Sequence, residues 1–441
     1  MSLNPRKISV QIIYDILKKD STLSQTLAIV RREKDFDTTD KRFISELVTG
    51  TVRHMEYLDY AISCASDIKT HKIAPYVMCV LRTGAYQLLF MDKIPESAAV
   101  NESVKIIKKS SNHRLSGFVN AVLRKIASNG RNINLPDDEF KSNCIKYSCP
   151  EWIAKLWKDS LGDDYADLLA AMNEKPDTIL RVNTLKTTAD ELVDMLTKEG
   201  WECRKYASPL FPEIDYLVSV SKITDLQASS AYKNGLFYVQ DSAGAYVAEI
   251  LNPKPGSVVF DMCASPGGKT THLAEKIKNK GQVFAFDVSE SKISTINENA
   301  KRLGIDVIKA SVSDSTKVYK EYFGKADYLL VDAPCSGLGI IRKKPDIKYL
   351  RKPQDVGQLS DISLSILNSC ADYLKSGGDM VFSTCTTAYE ENEAVLFEFL
   401  ENHPGFHLKK INCTKENKGY MTLYPHRDDC DGFFISLLTK E

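Results

Sequence analysis

The sequence predicts a multidomain protein: an all-α domain over residues 1–130, a small α+β domain over 131–235 and a Rossmann-like α/β domain over 236–441. Apolar residues recur at helical spacing in the first segment, and the second mixes helical stretches with short β-like runs. In the third, apolar strands alternate with helical stretches, which is typical of a parallel sheet covered by helices. The length of 441 residues, 43% apolar and 26% charged, excludes disordered and fibrous classes.

Apolar positions at a period of three to four residues predict the helices of the first domain. These helices are expected at 8–17, 43–52, 57–64, 76–90, 98–107 and 115–126. Turn-forming residues concentrate at 128–138, which we expect to be a linker. The second domain is expected to contain helices at 152–161, 165–172 and 188–198 and a strand at 178–182.

Short apolar runs bounded by turn residues predict the strands of the third domain. They lie at 258–260, 283–286, 328–331 and 380–382, with helices expected at 270–278, 290–303 and 356–374. In a parallel sheet of this kind, ligands bind at the edge where the strands have their carboxyl ends. We therefore expect the functional side chains among the residues that directly follow each strand.

Several classes of protein are excluded by composition. The most apolar long window, 77–91, contains Arg82 and is shorter than the roughly 18 to 20 apolar residues of a membrane span. The first residues form an amphipathic helical pattern without a signal-peptide cleavage site, which predicts a cytoplasmic protein. Eleven cysteines in a chain of this length favour reduced thiols over a disulfide scaffold. They include no CxxC pair, which argues against a structural zinc site.

Charge is distributed unevenly along a chain whose net charge is zero. Residues 1–135 carry 21 Lys and Arg against 13 Asp and Glu, a net charge of +8, so the remainder has 37 against 45, a net charge of −8. A basic first domain suggests binding to RNA, although solvated surface charge explains it equally well. The candidate phosphate-binding residues are Lys105, Lys108, Lys109, Arg114, Arg124 and Lys125.

The motif VVFDMCASPGGKTTHLAE at 258–275 predicts a cofactor site. A strand ends at Asp261, a glycine-containing turn follows, and a helix begins near Lys269, so backbone N–H groups can bind an anionic part of a ligand. Asp287 follows the next strand, where a carboxylate can accept hydrogen bonds from a ribose diol. Together they predict a nucleotide-like cofactor.

A phosphate-binding P-loop is the competing interpretation of this motif. The residues GKT at 268–270 match the end of GxxxxGK[ST]. The first glycine of that motif would stand at position 263, where this chain has Cys263. The mismatch argues against a P-loop nucleotide hydrolase.

Two cysteines follow later strands of the predicted sheet. The motif YLLVDAPCSGLG at 328–339 places Asp332 and Cys335 after one strand, and MVFSTCTTAYEENEA at 380–394 places Cys385 after the next. A single cysteine is more often an inert core residue than a reactive one. Two cysteines and a carboxylate at matching strand ends instead predict a reactive site beside the cofactor.

These motifs, in this order, resemble the S-adenosylmethionine-dependent RNA cytosine-5 methyltransferases, specifically their RsmB (Sun/Fmu) branch, which methylates 16S rRNA. The resemblance covers nearly the whole chain. Residues 96–126 are similar to the NusB-like RNA-binding domain of this branch. Further similar segments are RVNTLK (181–186), FYVQDSAGAYVA (237–248), IRKKPDIKY (341–349), STC with EEN (383–385 and 390–392) and DGFFIS (431–436).

The resemblance implies a role for each candidate residue. In the family pattern, Cys385 is the nucleophile, Cys335 the second cysteine that promotes product release, and Asp332 lies against both cofactor and target base. Asp287 holds the ribose hydroxyls and Asp314 the adenine side. The methionine part of S-adenosylmethionine is held by Lys269 and the backbone of Cys263, Ala264, Ser265, Pro266, Gly267 and Gly268.

The chemistry of cytosine explains these residue types. Its carbon 5 is too weak a nucleophile to attack a methylsulfonium, so a thiolate first adds to carbon 6. We expect a carboxylate at Asp332 to control charge on the base. The resemblance implies that the substrate is 16S rRNA or a small-subunit precursor, at the cytosine conventionally numbered 967, and we expect a monomeric enzyme without a metal or a membrane partner.

Two alternatives remain at this stage. Related enzymes methylate tRNA with the same catalytic residues, so tRNA is the rival substrate. A non-catalytic RNA-binding assembly factor is the rival from another functional class. The retention of Asp332, Cys335, Cys385 and Lys269 argues against the assembly factor, because a scaffold needs none of them.

Overall fold

The computed structural model describes residues 4–18, 21–33, 36–131, 133–223, 226, 228–413 and 418–441. The chain divides into two compact units: unit 1 is Met1–Glu174 with Ile341–Lys352, and unit 2 is Lys175–Ile340 with Pro353–Glu441. One residue of the expected linker, Asn132, lies outside the described residues. The division into three domains with borders near 130 and 235 stays a prediction.

The helices and strands are numbered in chain order. The helices are α1 Pro5–Leu17, α2 Leu23–Arg32, α3 Thr38–Arg53, α4 Met55–Ala65, α5 Pro75–Phe90, α6 Glu96–Lys108, α7 Ser116–Asn129, α8 Glu139–Lys146, α9 Glu151–Leu161, α10 Tyr165–Asn173, α11 Ala189–Lys198, α12 Ser230–Lys233, α13 Ser242–Leu251, α14 Gly268–Lys276, α15 Glu290–Leu303, α16 Ile347–Leu350, α17 Pro353–Cys370, α18 Glu393–Asn402 and α19 Pro425–Asp428. The strands are β1 Thr178–Val182, β2 Glu202–Lys205, β3 Leu217–Lys222, β4 Phe237–Val239, β5 Val258–Asp261, β6 Gln282–Asp287, β7 Ile308–Val312, β8 Ala326–Asp332, β9 Leu374–Thr384, β10 Phe406–Leu408, β11 Tyr420–Leu423 and β12 Phe433–Lys440. Short 3₁₀ turns lie at Thr70–Lys72, His113–Leu115, Gly162–Asp164, Lys320–Tyr322, Leu338–Ile340, Ala371–Tyr373 and Tyr389–Glu391.

Unit 1 is all-helical, as predicted, and α5 is its central helix. The helix is buried on nearly every side because α1, α3, α4, α6 and α7 pack around it. This burial explains why its sequence is apolar without a polar stripe. Arg82, which interrupts the apolar run, makes two hydrogen bonds of 2.6 Å to the carboxylate of Asp59 on α4. The paired charges let an arginine lie in this core.

Residues 341–352 interrupt unit 2 in the sequence but belong to unit 1. Asp346 accepts a hydrogen bond of 2.9 Å from the backbone N–H of Leu23, at the start of α2. The buried amine of Lys348 donates hydrogen bonds to the carbonyls of Arg53, at 2.8 Å, and Ser148, at 2.5 Å. Burial lowers the pKa of Lys348 to about 8. A neutral amine still has two N–H donors, which match the two carbonyl acceptors.

Unit 2 begins with a small antiparallel sheet in the order β2-β3-β1-β4, against which α11 packs. Its core contains Leu180 and Val182 from β1 and Phe237 from β4, and α11 contributes Leu192 and Leu196. The α+β character predicted for the middle of the chain is therefore confirmed.

The second sheet of unit 2 contains eight strands in the order β10-β12-β9-β8-β5-β6-β7, with β11 paired to β12. The five strands from β9 to β7 are parallel, and Val259 and Phe260 face opposite sides of the sheet, as alternation along a strand requires. Helices α13 and α14 cover one face, whereas α17 and α18 cover the other. The predicted Rossmann-like fold is confirmed.

The sheet differs from the sequence prediction at both ends. At one edge, β7 has the polar sequence IKASV, which lacks the apolar run used to identify strands. At the other, β10, β11 and β12 are antiparallel to their neighbours. The sequence analysis predicts no helix or strand in the segment that contains them. The sheet is thus mixed rather than wholly parallel.

Lys348→Met tests the buried amine of unit 1. The pKa of Lys348 is about 8 in the folded chain and ordinarily 10.5, so the unfolded state holds more protons between these values. Because stability rises with pH where the unfolded state binds more protons, the unfolding free energy of the parent should rise relative to Lys348→Met by about 3 kcal/mol across this range.

Urea unfolding followed by Trp152 and Trp157 fluorescence, with Trp201 replaced by Phe, measures this difference. Lys344 is exposed, so Lys344→Met is the matched control and should show no such pH dependence. A constant difference between the parent and Lys348→Met from pH 7 to about 10.5 would contradict the prediction.

Candidate active site

The loop between β5 and α14 forms a backbone cradle at the carboxyl edge of the sheet. Gly267 has φ = +98°, a backbone conformation that residues other than glycine rarely adopt, and α14 begins at the next residue. The N–H of Ala264 donates to the carbonyl of Phe286 at 3.0 Å, which ties the loop to β6. The first N–H groups of α14 are consequently available to an anionic ligand group.

Asp287 lies at the end of β6 and contacts this loop. Its carboxylate accepts hydrogen bonds from the N–H groups of Ser265, at 3.0 Å, and Val288, at 2.7 Å, and pairs with Lys292 at 2.9 Å. A carboxylate has about four acceptor positions, so the side chain retains capacity for a hydroxyl group. The geometry suits the predicted ribose contact, which stays a prediction.

Asp314 follows β7, the neighbour of β6, and so lies at the same edge of the sheet. Hydrogen bonds from the hydroxyl and N–H of Thr316 lower the pKa of Asp314. It also pairs with Lys317 at 3.4 Å. Asp314 does not line the cavity described below, and its predicted adenine contact is untested.

An ion pair lies at the centre of the site. Lys269, in the first turn of α14, donates a hydrogen bond of 2.8 Å to Asp332 at the end of β8. Burial opposes the charge of Lys269, but Asp332 outweighs it and the pKa of Lys269 is raised. The other oxygen of Asp332 accepts from the hydroxyl of Ser383 at 2.9 Å. Lys269 is therefore held in its charged form, and both side chains are held in fixed positions.

The two predicted cysteines meet in this site. The Sγ atoms of Cys335 and Cys385 are 3.3 Å apart, although the residues are 50 positions apart in the sequence. The hydrogen bond with Cys385 and burial together raise the pKa of Cys335 well above its ordinary value. Burial also raises the pKa of Cys263, in the cofactor loop. These two thiols therefore stay protonated near neutral pH.

Charged side chains surround the cysteine pair, and they interact differently with its two sulfurs. The negative charge of Cys385 contributes to the raised pKa of Lys269, so the thiolate and the ammonium stabilise each other. The carboxylates of Glu391 and Asp332 instead oppose a negative charge on Cys335. The site thus pairs one potential nucleophile with one thiol that keeps its proton.

Two glycines allow the loop after Cys335 to approach the chain before β12. A Cβ atom on Gly339 would lie 1.9 Å from the carbonyl oxygen of Gly432. The N–H of Gly339 donates to the carbonyl of Cys385 at 3.0 Å, and the N–H of Gly432 donates to the carbonyl of Gly339 at 2.8 Å. The close approach holds the loop that carries Cys335 over Cys385.

A cavity joins the cradle, the ion pair and Cys385. Its lining includes Cys263, Ala264, Ser265, Pro266, Gly268, Lys269, Asp332 and Cys385 among the predicted residues, together with Tyr238, Val239, Gln240, Asp241, Gly244, Asp261, Ile340, Asp431 and Phe433. The segments FYVQD and DGFF belong to the sequence resemblance, but sequence reasoning assigned no role to their side chains. Burial raises the pKa of Asp261 to about 7, which leaves its carboxyl poised near neutral pH.

Arg181 is a further residue that sequence reasoning did not assign. Its buried guanidinium donates to the carbonyl of Gly268 at 2.6 Å, the hydroxyl of Thr271 at 3.0 Å and the carboxylate of Glu275 at 2.9 Å, and it also bonds Gln240. Burial raises the pKa of Glu275, whereas Arg181 favours its charged form. Strand β1 thereby holds the start of α14 through a buried charge. In the sequence, the feature that could have pointed to Arg181 is its place at the start of the segment RVNTLK.

The six candidate RNA-binding residues lie in unit 1 and are all exposed. They are carried by α6, by the turn that follows it and by α7, which packs against α6. Lys105 forms an ion pair of 2.6 Å with Glu102, and Arg124 donates to Asn120 at 3.1 Å. Exposure fits phosphate binding and solvated charge alike, so their role stays a prediction.

Within the described ranges, none of the helices combines the length and hydrophobicity required to cross a bilayer. Nor do the described residues contain a group of at least three His, Cys, Asp or Glu side chains that could hold a metal ion.

Comparisons with known families match most of the chain. Residues 248–439 match the model of the 16S rRNA methyltransferase RsmB/F family, residues 3–128 the NusB family, and residues 149–213 the ferredoxin-like domain of RsmF/B-like methyltransferases. Among curated proteins, the chain is 35% identical to the probable ribosomal RNA small subunit methyltransferase B of Bacillus subtilis, over 99% of this chain and 98% of that protein. It is 30% identical to ribosomal RNA small subunit methyltransferase B of Klebsiella pneumoniae, over 100% and 99% of the two chains.

Solved structures extend the similarity to the fold. The crystal structure of PH0851 covers 100% of both chains with a TM-score of 0.84 and 28% identity. A methyltransferase homolog from Pyrococcus horikoshii covers 69% of this chain and 100% of its own, with a TM-score of 0.60 and 26% identity.

Arg181→Met tests the buried ion pair behind the cradle. It leaves the carboxylate of Glu275 buried without its cation, which should lower the unfolding free energy of unit 2 by about 3 to 5 kcal/mol. Adding Glu275→Leu should recover part of this loss, because the unpaired charge is removed. Urea unfolding followed by Trp201 fluorescence, with Trp152 and Trp157 replaced by Phe, measures both changes.

Arg204, whose side chain is 80% exposed, offers the matched control. Arg204→Met should change stability by less than about 0.5 kcal/mol. An equal loss of unfolding free energy in the two arginine variants would show that the buried pair contributes no more to stability than an exposed arginine does.

Proposed function

Because the chain belongs to the RsmB/F family of 16S rRNA methyltransferases, we propose that it methylates carbon 5 of a specific cytosine in 16S rRNA, conventionally position 967. The observation that carries the proposal is the Cys335–Cys385 pair, with 3.3 Å between the Sγ atoms, beside the ion pair of Lys269 and Asp332. Transfer to carbon 5 requires a nucleophile at carbon 6 and a separate group for product release, and the two thiols meet both needs.

The cradle fits the methyl donor S-adenosylmethionine. In the proposal, the backbone from Cys263 to Gly268 and the side chain of Lys269 hold its methionine part, Asp287 its ribose and Asp314 the adenine side. The fit rests on the left-handed backbone at Gly267 and on the carboxylate at the end of β6. When bound, this cofactor supplies an electrophilic methyl group on a positively charged sulfur.

Cys385 begins the proposed reaction. Its thiolate forms a bond to carbon 6 of cytosine, and the electron pair of the C5–C6 double bond shifts to make carbon 5 nucleophilic. Lys269 stabilises the thiolate before addition, since its ammonium attracts a negative charge on Cys385. In the proposal, the carboxylate of Asp332 accepts a hydrogen bond from the exocyclic amine, and from N3 when that nitrogen carries a proton, which limits charge build-up on the ring.

Cys335 completes the proposed reaction. After methyl transfer, carbon 5 carries both a proton and a methyl group. Removal of that proton returns an electron pair to the C5–C6 bond, and the bond between carbon 6 and Cys385 breaks. Cys335, at 3.3 Å from Cys385, acts in this elimination by assisting it, or as the base once Cys385 is bound to carbon 6 and no longer raises the pKa of Cys335.

The substrate RNA must present an unstacked cytosine. Unstacking costs a few kcal/mol and is cheapest in loops and bulges, so a single-stranded rRNA region or a small-subunit precursor is the proposed partner. The exposed basic residues of α6, α7 and their connecting turn would bind its phosphates. We propose that the protein acts in the cytoplasm, as a monomer and without a metal.

Transfer of labelled methyl groups from S-adenosylmethionine tests the proposal. Unmodified 16S rRNA, a partly assembled small subunit and unmodified tRNA are assayed separately, and mass spectrometry identifies the product nucleoside. We expect 5-methylcytidine only in the ribosomal substrates. The same product only in tRNA would overturn the substrate, whereas no transfer to any of them would favour a non-catalytic RNA-binding assembly factor.

Cysteine variants test the two roles. Cys385→Ala should abolish methyl transfer with the folded state retained, because no thiolate can add to carbon 6. Cys335→Ala should accumulate a protein–RNA adduct, visible as a band shift that survives denaturant, because release is blocked. Cys64→Ala replaces an exposed cysteine of unit 1 and is the control that should behave as the parent. Methyl transfer by Cys385→Ala, or no adduct with Cys335→Ala, would contradict the respective assignment.

Salt dependence tests the basic residues. The triple variant Lys108→Ala/Lys109→Ala/Arg124→Ala should bind RNA more weakly, and the slope of log affinity against log salt should fall by about 0.7 for each phosphate that the variant no longer neutralises. The control replaces Lys69, Lys72 and Lys93, which are also exposed in unit 1. Filter binding at several salt concentrations measures both slopes, and equal slopes would remove these residues from the RNA interface.

A further inference from the structure

Glu391 is a fully buried carboxylate beside the loop that carries Cys335. One of its oxygens accepts a hydrogen bond of 2.7 Å from the N–H of Ser336, and the other accepts one of 2.5 Å from the hydroxyl of the same residue. Ser336 directly follows Cys335 in the chain. Both carboxylate oxygens therefore hold the residue next to one of the two thiols.

Asn392 makes the equivalent contacts to the chain around Cys385. Its side-chain oxygen accepts a hydrogen bond of 2.5 Å from the hydroxyl of Thr384, and its side-chain nitrogen donates to the carbonyl of Thr386 at 3.1 Å. These threonines are the two neighbours of Cys385 in the chain. A hydrogen bond of 2.9 Å between the hydroxyls of Ser336 and Thr386 joins the two halves of the network.

We propose that Glu391 and Asn392 are positioning residues that set the distance and orientation of the Cys335 and Cys385 thiols. The inference rests on the proposed function for its catalytic consequence, but its geometric content does not. Both residues act through Ser336, Thr384 and Thr386, which adjoin the two cysteines in the chain. The network is a single rigid clamp across two loops that are far apart in sequence.

The carboxylate of Glu391 affects the reactive site as well as the loops that it joins. Burial of a carboxylate costs free energy unless several hydrogen bonds compensate it, and a neutral side chain would join the loops at lower cost. The charge has a further effect on the site, since Glu391 contributes to the raised pKa of Cys335. It thus favours the protonated form of the thiol that must not compete with Cys385 as nucleophile.

Three variants separate positioning from folding. Glu391→Ala removes both hydrogen bonds to Ser336, Glu391→Gln keeps the shape and one strong acceptor, and Glu390→Ala changes the exposed neighbouring glutamate as a control. We expect Glu391→Ala to lower kcat by about a hundredfold, as displacement of a reacting group by about 1 Å can do. KM for S-adenosylmethionine should change by less than about twofold, because the cofactor cradle is elsewhere. Glu391→Gln should recover most of the lost activity.

A second measurement reports thiol geometry without any methyl transfer. Diamide oxidises two adjacent thiols to a disulfide: the sulfurs lose two electrons and two protons, and the N=N bond of the reagent takes them up as a hydrazine. With 3.3 Å between the Sγ atoms, the parent should form the Cys335–Cys385 cross-link rapidly. Glu391→Ala should form it at least about tenfold more slowly under conditions in which it is still folded, and Glu390→Ala at the parent rate. Peptide mass spectrometry quantifies the cross-link.

The two measurements distinguish the failure of each proposal. Parental kcat and a parental cross-linking rate in Glu391→Ala would overturn the positioning role. If the parent makes no 5-methylcytidine but Glu391→Ala still slows the cross-link, the proposed function fails and the positioning role stands. If Glu391→Ala does not fold, Ser336→Ala decides: a slower cross-link at parental Tm supports the clamp, and the parental rate overturns it.

Discussion

Parallel pairing between β8 and β9 is the constraint on which the site depends. Asp332 and Ser383 are partners in this register, and Cys335 and Cys385 follow them by a few residues. A slip of one residue would send these side chains to opposite faces of the sheet. The hydrogen bond of 2.9 Å between Ser383 and Asp332, and through Asp332 the ion pair with Lys269, exist only in this register.

Buried and half-buried polar groups fix the site at three places. Arg181 fixes the start of α14 from the small sheet, Lys269 and Asp332 pair at the centre, and Glu391 with Asn392 secure the cysteine loops. Each such group would destabilise the fold if it were left unpaired. Their hydrogen bonds fix the positions of these side chains, and fixed positions are what the proposed reaction between a base, a thiol and a methyl donor requires.

Much of this arrangement followed from local patterns. Helical periodicity located the helices packed around α5, and turn residues after apolar runs located Asp287, Asp332, Cys335 and Cys385 at strand ends. The edge strands β7, β10 and β11 were not predicted, because they have no continuous apolar run. The inner strand β12 was not predicted either, although its sequence FFISLL is apolar. The burial of Glu391 was not predicted either, since an acidic residue in a short turn is usually solvated.

The sequence alone determined which side chains stand at the strand ends and which loop can bind an anion, because turn chemistry and periodicity are properties of neighbouring residues. Only the tertiary structure decided which of them meet. The thiols come within 3.3 Å because β8 pairs with β9, and Arg181 reaches Glu275 because the small sheet packs on α14. Such partners are many residues apart, and their contacts are set by strand order and packing, which no local pattern encodes.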